Sequence, residues 1–195
     1  MAKQLWKPGT MIYPLPAAMV SCGDSIDNYN IITIAWIGTL CSEPPMCYVS
    51  VRKSRHSHAL IEQTKSFVIN LTTTQLAKET DWCGVKSGKA FHKFVEMNLT
   101  PVKAHFVNAP MIAESPMNIE CKVTEIKELG THDVFIAEVV AVHADEKYIH
   151  PKTGAFDMEK ADLLAYSHGN YYALGKKIGH FGFSVKKKNN KKITR

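Results

Sequence analysis

The chain has 195 residues, 45% of them hydrophobic, enough to bury one sizeable core without calling for a second domain. Its start, Met1-Ala2-Lys3-Gln4-Leu5-Trp6-Lys7-Pro8, has no apolar leader run, and no stretch approaches the roughly 20 apolar residues of a membrane span, so the sequence reads as cytoplasmic with no membrane partner. The formal net charge of +6 is concentrated at one end: Lys186, Lys187, Lys188, Lys191, Lys192 and Arg195 stand in the last ten residues without an acid, and the remainder is formally neutral. Such a tail reads as a solvated, disordered end, and without interleaved aromatics it argues against nucleic acid as a partner. The expected organisation is therefore a single domain over residues 1–185 and a basic tail over 186–195.

Five cysteines (Cys22, Cys41, Cys47, Cys83 and Cys121) make an odd set with no Cys-x-x-Cys spacing, so they read as reduced thiols in or near the core. Cys41 and Cys47 are the closest pair, and no metal site is expected.

In chain order, Met11 to Ile69 alternates short β-rich segments with turn signals, the pattern of an all-β barrel or sandwich. Strands are expected at Ala17 to Cys22, Ile31 to Trp36 and Cys47 to Val51. A turn runs through Gly23 to Asn28, and Pro44 and Pro45 stop any ladder before the third strand because proline has no backbone donor. A helix follows at about Ser57 to Gln63, capped by Ser57 or Ser54, and Ser66 to Leu71 returns to strand. The middle reads as helical, with Thr74 to Trp82 behind a threonine cap and Ala90 to Met97 carrying Phe91, Phe94 and Val95 on one face. Between them lies the loop Cys83-Gly84-Val85-Lys86-Ser87-Gly88-Lys89. Strands resume at Asn118 to Lys127 and Asp133 to His143; the second is too continuously apolar for an exposed edge and belongs inside a sheet.

The segment Ser50-Val51-Arg52-Lys53-Ser54-Arg55-His56-Ser57-His58 carries the most chemistry, because it runs from a strand end into a helix start with three cationic side chains. A helix N-terminus offers unpaired amides and the positive end of the dipole, so a phosphate placed there gains amide bonds and bidentate arginine contacts. The competing reading is a solvated basic turn. Other site types are poorly supported: there is no G-x-G-x-x-G after a strand and no G-x-S-x-G elbow. Nothing pairs Cys41 or Cys83 with a base, so both read as inert. His56 and His58, two residues apart, diverge on a helix and suit a phosphate or solvent role better than a shared metal.

Six segments in order, Asn30-Ile31-Ile32-Thr33-Ile34-Ala35-Trp36, Cys41-Ser42-Glu43-Pro44-Pro45, Ser50 to His58, Phe67-Val68-Ile69-Asn70-Leu71, Cys83 to Lys89 and Gly182-Phe183-Ser184, give the chain a family likeness. Over nearly all of residues 8 to 187 it resembles the flavin reductase-like, FMN-binding split-barrel family, and in particular its flavoredoxin-type branch. The resemblance implies a mainly β fold with flanking helices, a six-stranded Greek-key barrel, and a homodimer with FMN near the interface. It places Thr33, Ala35 and Trp36 against the isoalloxazine, backbone groups of Ser50, Val51 and Arg52 at the ring edge, and Arg52, Lys53 and Ser57 on the phosphate. Asn70 would lie near the ribityl chain, Lys86, Ser87, Gly88 and Lys89 would close over the flavin, and Phe183 would cover the opening. His92 stands where the family often has aspartate, and His56 where tyrosine is common. The implied activity is an oxidoreductase taking electrons from NADH or NADPH through FMN to a flavin, ferric or protein acceptor; the alternative is a non-enzymatic FMN electron carrier. Neither requires a catalytic acid or base from the protein, since the chemistry is the cofactor's.

Overall fold

A computed structural model of the chain describes residues 1–185; the basic tail expected at 186–195 lies outside the described residues. In chain order the elements are β1 (Leu15–Pro16), β2 (Ala18–Cys22), β3 (Asn30–Ile34), β4 (Ile37–Cys41), β5 (Met46–Arg52), α1 (His56–Thr64) and β6 (Ser66–Leu71). Then come α2 (Ala77–Val85), α3 (Lys93–Glu96), β7 (Pro101–Val102), β8 (Met111–Ile112), β9 (Met117–Leu129), β10 (His132–Ala144), α4 (Met158–Ala161), β11 (Leu164–Ser167) and β12 (Asn170–Ala173).

The main sheet is antiparallel throughout, in the order β3-β2-β6-β9-β10-β5-β4. Its two outer members are consecutive in the chain, with only Ala35 and Trp36 between them, so the sheet closes on itself. Taken as one bent strand, β3 and β4 complete the six-stranded barrel. The bend is fixed by Ile37 N donating to Ala35 O at 3.0 Å and Ser50 N donating to Trp36 O at 2.9 Å.

Period-2 alternation sorts the side chains into layers. Val20, Ile32, Val49, Val51, Phe67 and Phe135 point into the barrel, where Leu60 and Ile61 of α1 join them. Their neighbours Met19 and Ile31 face the other way and pack against Cys83 of α2, Phe94 of α3 and Ile112. β2 is consequently buried on both faces. β10 lies between β9 and β5, the interior position its apolar run predicts. A separate three-stranded sheet, β1-β11-β12, lies beside the start of α2: Leu164 N donates to Thr72 O, and Thr74 N to Asp162 O.

Several local expectations need correction. The strand expected to reach Trp36 stops at Ile34, and β4 follows from a segment given no strand in the sequence reading. The cap of α1 is Arg55, which makes no side-chain cap bond; Ser57 Oγ instead accepts from Asn30 Nδ2 at 2.7 Å. The threonine cap is Thr73, whose side chain accepts from Leu76 N ahead of α2. α2 runs through Cys83, Gly84 and Val85, so the loop is shorter than expected. The helix expected over Ala90 to Met97 is a single turn, Lys93–Glu96, in which Phe94 is buried and Val95 exposed, while Phe91 packs edge-on to Trp82.

Candidate functional site

Where β3 bends into β4, a two-part cleft opens between the end of β5, the start of α1 and the end of α2. Its parts, of about 320 and 390 Å³, share Ile32, Arg52, Arg55 and Gly84.

The first part mixes apolar and polar walls. Thr33, Ala35 and Trp36 form one wall, with Ser50, Val51 and Arg52 of β5 alongside. Trp36 lies nearly parallel to His132, at 18° and 6.4 Å between ring centres. The β10–β5 register sets His132 directly opposite Arg52. Burial, and then the nearby guanidinium of Arg52, hold the His132 imidazole below its usual range against the opposing pull of Asp133. Tyr166, Gly169 and Tyr171 of the small sheet complete the rim, where the Tyr171 hydroxyl lies 3.3 Å from Asp81 Oδ1.

The second part is cationic. α1 begins here with no side-chain cap and no acid in its first turn, leaving amides and the positive dipole end facing the cleft. Arg52, Arg55, Lys86 and Lys93 line it together with Asn30, Ser54, Ser57 and Gly88, and no carboxylate does. Lys93 is only 3% exposed; its Nζ donates to Ile31 O at 2.7 Å and to Cys83 O at 2.6 Å, so among the described residues its hydrogen-bond partners are neutral carbonyls. Burial pushes its ammonium down to about 8, with Arg55 adding to the effect. Burial likewise raises the Cys83 thiol to about 11 and the Cys22 thiol to about 12, which leaves both unsuited to nucleophilic work near neutrality.

Two glycines permit this packing. A Cβ on Gly84 would stand 3.2 Å from Thr33 Cβ, so α2 lies close against β3. A Cβ on Gly88 would fall 2.2 Å from Asn30 Oδ1, so the loop backbone lies directly on the Asn30 amide.

Of the residues the sequence pointed to, Thr33, Ala35, Trp36, Ser50, Val51 and Arg52 line the first part, and Ser57, Lys86, Ser87 and Gly88 line the second. Four are not brought there. Lys53 turns to Glu128 Oε2 at 2.8 Å and Asp133 Oδ1 at 3.4 Å, drawn by two carboxylates that the cleft does not offer. Asn70 is fully buried and spent on the fold: its amide donates to Met19 O and Ser21 Oγ, and its oxygen accepts from Ile112 N and Asn118 Nδ2. Lys89 lines an adjoining hollow with His56 and His92. Phe183 is 56% exposed beside Gly179 and His180 in the C-terminal segment. His58, expected to meet phosphate or solvent, is buried, with its Nε2 2.7 Å from Asp133 Oδ2.

The sequence reading missed Arg55, Lys93, Asn30, His132, Asp81 and the two rim tyrosines. Arg55 stood inside the motif already singled out, and the helix start beside it was the available signal. Lys93 sat in the helix expected over Ala90 to Met97, off the apolar face of Phe91, Phe94 and Val95, and only the packing of α3 onto β3 reveals its burial.

The fold and the cleft together define a split barrel with a cation-lined opening at its seam. The chain belongs to the flavin reductase-like family, whose domain model, the flavin reductase like domain, matches residues 10–175. It is similar to the solved flavoredoxin of Desulfovibrio vulgaris (Miyazaki F), at 30% identity and a TM-score of 0.87, covering 95% of this chain and 100% of that one. It is 32% identical over 135 residues to an uncharacterised protein of Archaeoglobus fulgidus, covering 69% of this chain and 75% of the relative. It is also 30% identical over 112 residues to the reductase component of a 4-nitrophenol 4-monooxygenase/4-nitrocatechol 2-monooxygenase of Rhodococcus opacus, covering 57% of each.

Proposed function

We propose that the cleft holds FMN and that the protein is an NAD(P)H-dependent oxidoreductase passing electrons to a flavin, ferric or protein acceptor. The observation that carries this reading is Lys93, a buried cation paired with no carboxylate among the described residues, set behind Arg52, Arg55 and an uncapped helix start. A cationic pocket of this kind suits a phosphate, and the nearly parallel rings of Trp36 and His132 beside it suit a planar ring. In this fit Arg52, Arg55, Ser57, Lys93 and the first-turn amides of α1 hold the phosphate, and Lys86, Ser87 and Gly88 close the side. Thr33, Ala35 and Trp36 position the ring and exclude water from one face. FMN, when bound, supplies the two-electron chemistry. A second chain completes the site in a homodimer, and the five free cysteines fit a reducing cytoplasmic setting.

The likeness to flavoredoxin supports a second reading, an FMN carrier that exchanges electrons with protein partners and meets nicotinamide poorly. Anaerobic stopped-flow mixing of the FMN-loaded protein with NADH or NADPH separates the two. The oxidoreductase reading expects bleaching of the bound flavin far faster than of free FMN. Bleaching no faster than that of free FMN overturns it in favour of the carrier, and failure to bind FMN overturns both.

A further inference from the structure

At the far end of the β9–β10 ladder three residues absent from the cleft converge. Glu120 is on β9, opposite Ala141 beside the bulge of β10; His143 is two residues further along β10, and His105 comes from the loop between β7 and β8. His105 Nδ1, His143 Nε2 and one Glu120 carboxylate oxygen all lie within 4.8 Å of one another. We propose that these three side chains bind one divalent transition-metal ion of the zinc type, which ties the 103–110 loop to the sheet.

Glu120 has no solvent exposure and is oriented for the task. Its Oε2 accepts from Phe106 N at 2.6 Å and Val107 N at 3.0 Å, which fixes the carboxylate plane and leaves Oε1 facing the imidazoles. Oε1 accepts from His105 N at 2.8 Å and lies 2.6 Å from His143 Nε2 and 3.9 Å from His105 Nδ1. Burial opposes its ionisation, but the amides of His105 and Phe106 and the His143 side chain outweigh that and hold the carboxyl below its usual range.

A structural ion pair between Glu120 and His143 would need no second imidazole. Yet the His105 ring, on a side chain 66% exposed, lies almost parallel to that of His143, at 19° and 4.8 Å between centres, with Nδ1 turned towards the same oxygen but beyond hydrogen-bond reach. A neutral imidazole carries an in-plane lone pair, which is the donor a metal ion takes up. Two imidazoles and a carboxylate, with solvent in the remaining position, are a ligand set that zinc accepts, at metal–ligand distances of about 2.0–2.2 Å. Ligand atoms around such an ion stand about 3–3.5 Å apart, so His143 must recede slightly and His105 must approach; the exposed His105 is free to do so. On binding, the proton between His143 Nε2 and Oε1 passes to Nδ1 or to solvent. The Phe106 and Val107 amides that donate to Oε2 then serve as the supporting hydrogen-bond shell of a ligating carboxylate.

The test is calorimetric titration of Zn²⁺ into the metal-stripped, FMN-loaded full chain, repeated with His105→Ala and His143→Ala. One equivalent per chain is expected, with affinity reduced at least about tenfold in either variant. The flavin spectrum should be unchanged, and Zn²⁺ should raise the melting temperature of the wild type only. Co²⁺ should give weak visible d–d bands without a thiolate charge-transfer band. Absence of binding at about 100 μM Zn²⁺, a thiolate band, or unaltered affinity in both variants overturns the proposal. Because His105 is exposed, its variant should fold even if His143→Ala does not, and it decides the matter alone.

Discussion

Lys93 offers the sharpest test of the anion pocket. A lysine held near 8 instead of its ordinary 10.5 carries its charge at a cost of about 3 kcal/mol, because each pH unit is worth about 1.4 kcal/mol. In the ligand-free protein the folded chain surrenders this proton before the unfolded chain does. From about pH 8 to 10.5 the unfolded state therefore binds more protons, and stability rises with pH across that window. A phosphate in the pocket reverses the balance by favouring the ammonium. Above about pH 8, FMN binding then takes up a proton, and affinity should fall by up to about tenfold per pH unit until the lysine of the complex itself titrates. FMN's phosphate is already a dianion in this range, so it adds no step of its own. Lys93→Met should weaken FMN binding at pH 7 by about 2–3 kcal/mol and remove the alkaline decline, leaving riboflavin binding almost untouched. Flavin fluorescence titrations at pH 7 and 9.5 with both ligands measure this. A flat wild-type FMN profile, or equal losses for FMN and riboflavin, would refute the reasoning.

Arg52→Ala should cost about 2–3 kcal/mol of FMN affinity with no change for riboflavin, read by the same titration; equal losses would move the phosphate elsewhere. Gly88→Ala puts a methyl 2.2 Å from Asn30 Oδ1, on a side chain that is 3% exposed and bonded to Ser57, so it should destabilise by about 1–3 kcal/mol in urea and weaken flavin binding. Gly130→Ala, with nothing within 4 Å, should do neither. Asp133→Ala removes the buried partner of His58 and should lower stability by about 1–3 kcal/mol at pH 7. Burial opposes ionisation of Asp133, but His58 and then Lys53 hold its carboxyl below the usual range, so its contribution is present above about pH 4 and is lost as pH falls through the folded value. A wild-type and variant pair with parallel acid unfolding curves would contradict that.

The barrel strands were legible because alternation and turn residues are local: β2, β5, β6 and β10 follow from their own residues. β4 was not, since Ile37 to Cys41 reads as a strand only once β5 is beside it to supply partners. Half of the cleft shared this fate. Arg52 and the uncapped helix start are written in nine consecutive residues, whereas Lys93 and His132 reach it from 41 and 80 positions further along the chain. Lys53 shows the converse: adjacency to Arg52 suggested a shared role, but β5 ends at Arg52, and in the turn that follows the acids of the β9–β10 hairpin claim Lys53. Asn70 sat in a matching segment, yet its hydrogen bonds join β6 to β2, to Asn118 of β9 and to the Ile112 backbone.

The two-residue hinge at Ala35 and Trp36 has a consequence for how this architecture diversifies. Because one strand supplies both borders of the sheet, the wall of the cleft cannot be widened without unzipping the barrel, whereas the stretch from Lys86 to His92 touches that wall from outside and carries no rung of the ladder. What the cleft admits can therefore be altered by changing that outer stretch in length or charge, while the surface beneath it keeps its shape. Grafting such segments between relatives is a practical route to changing what enters the cleft without rebuilding the host.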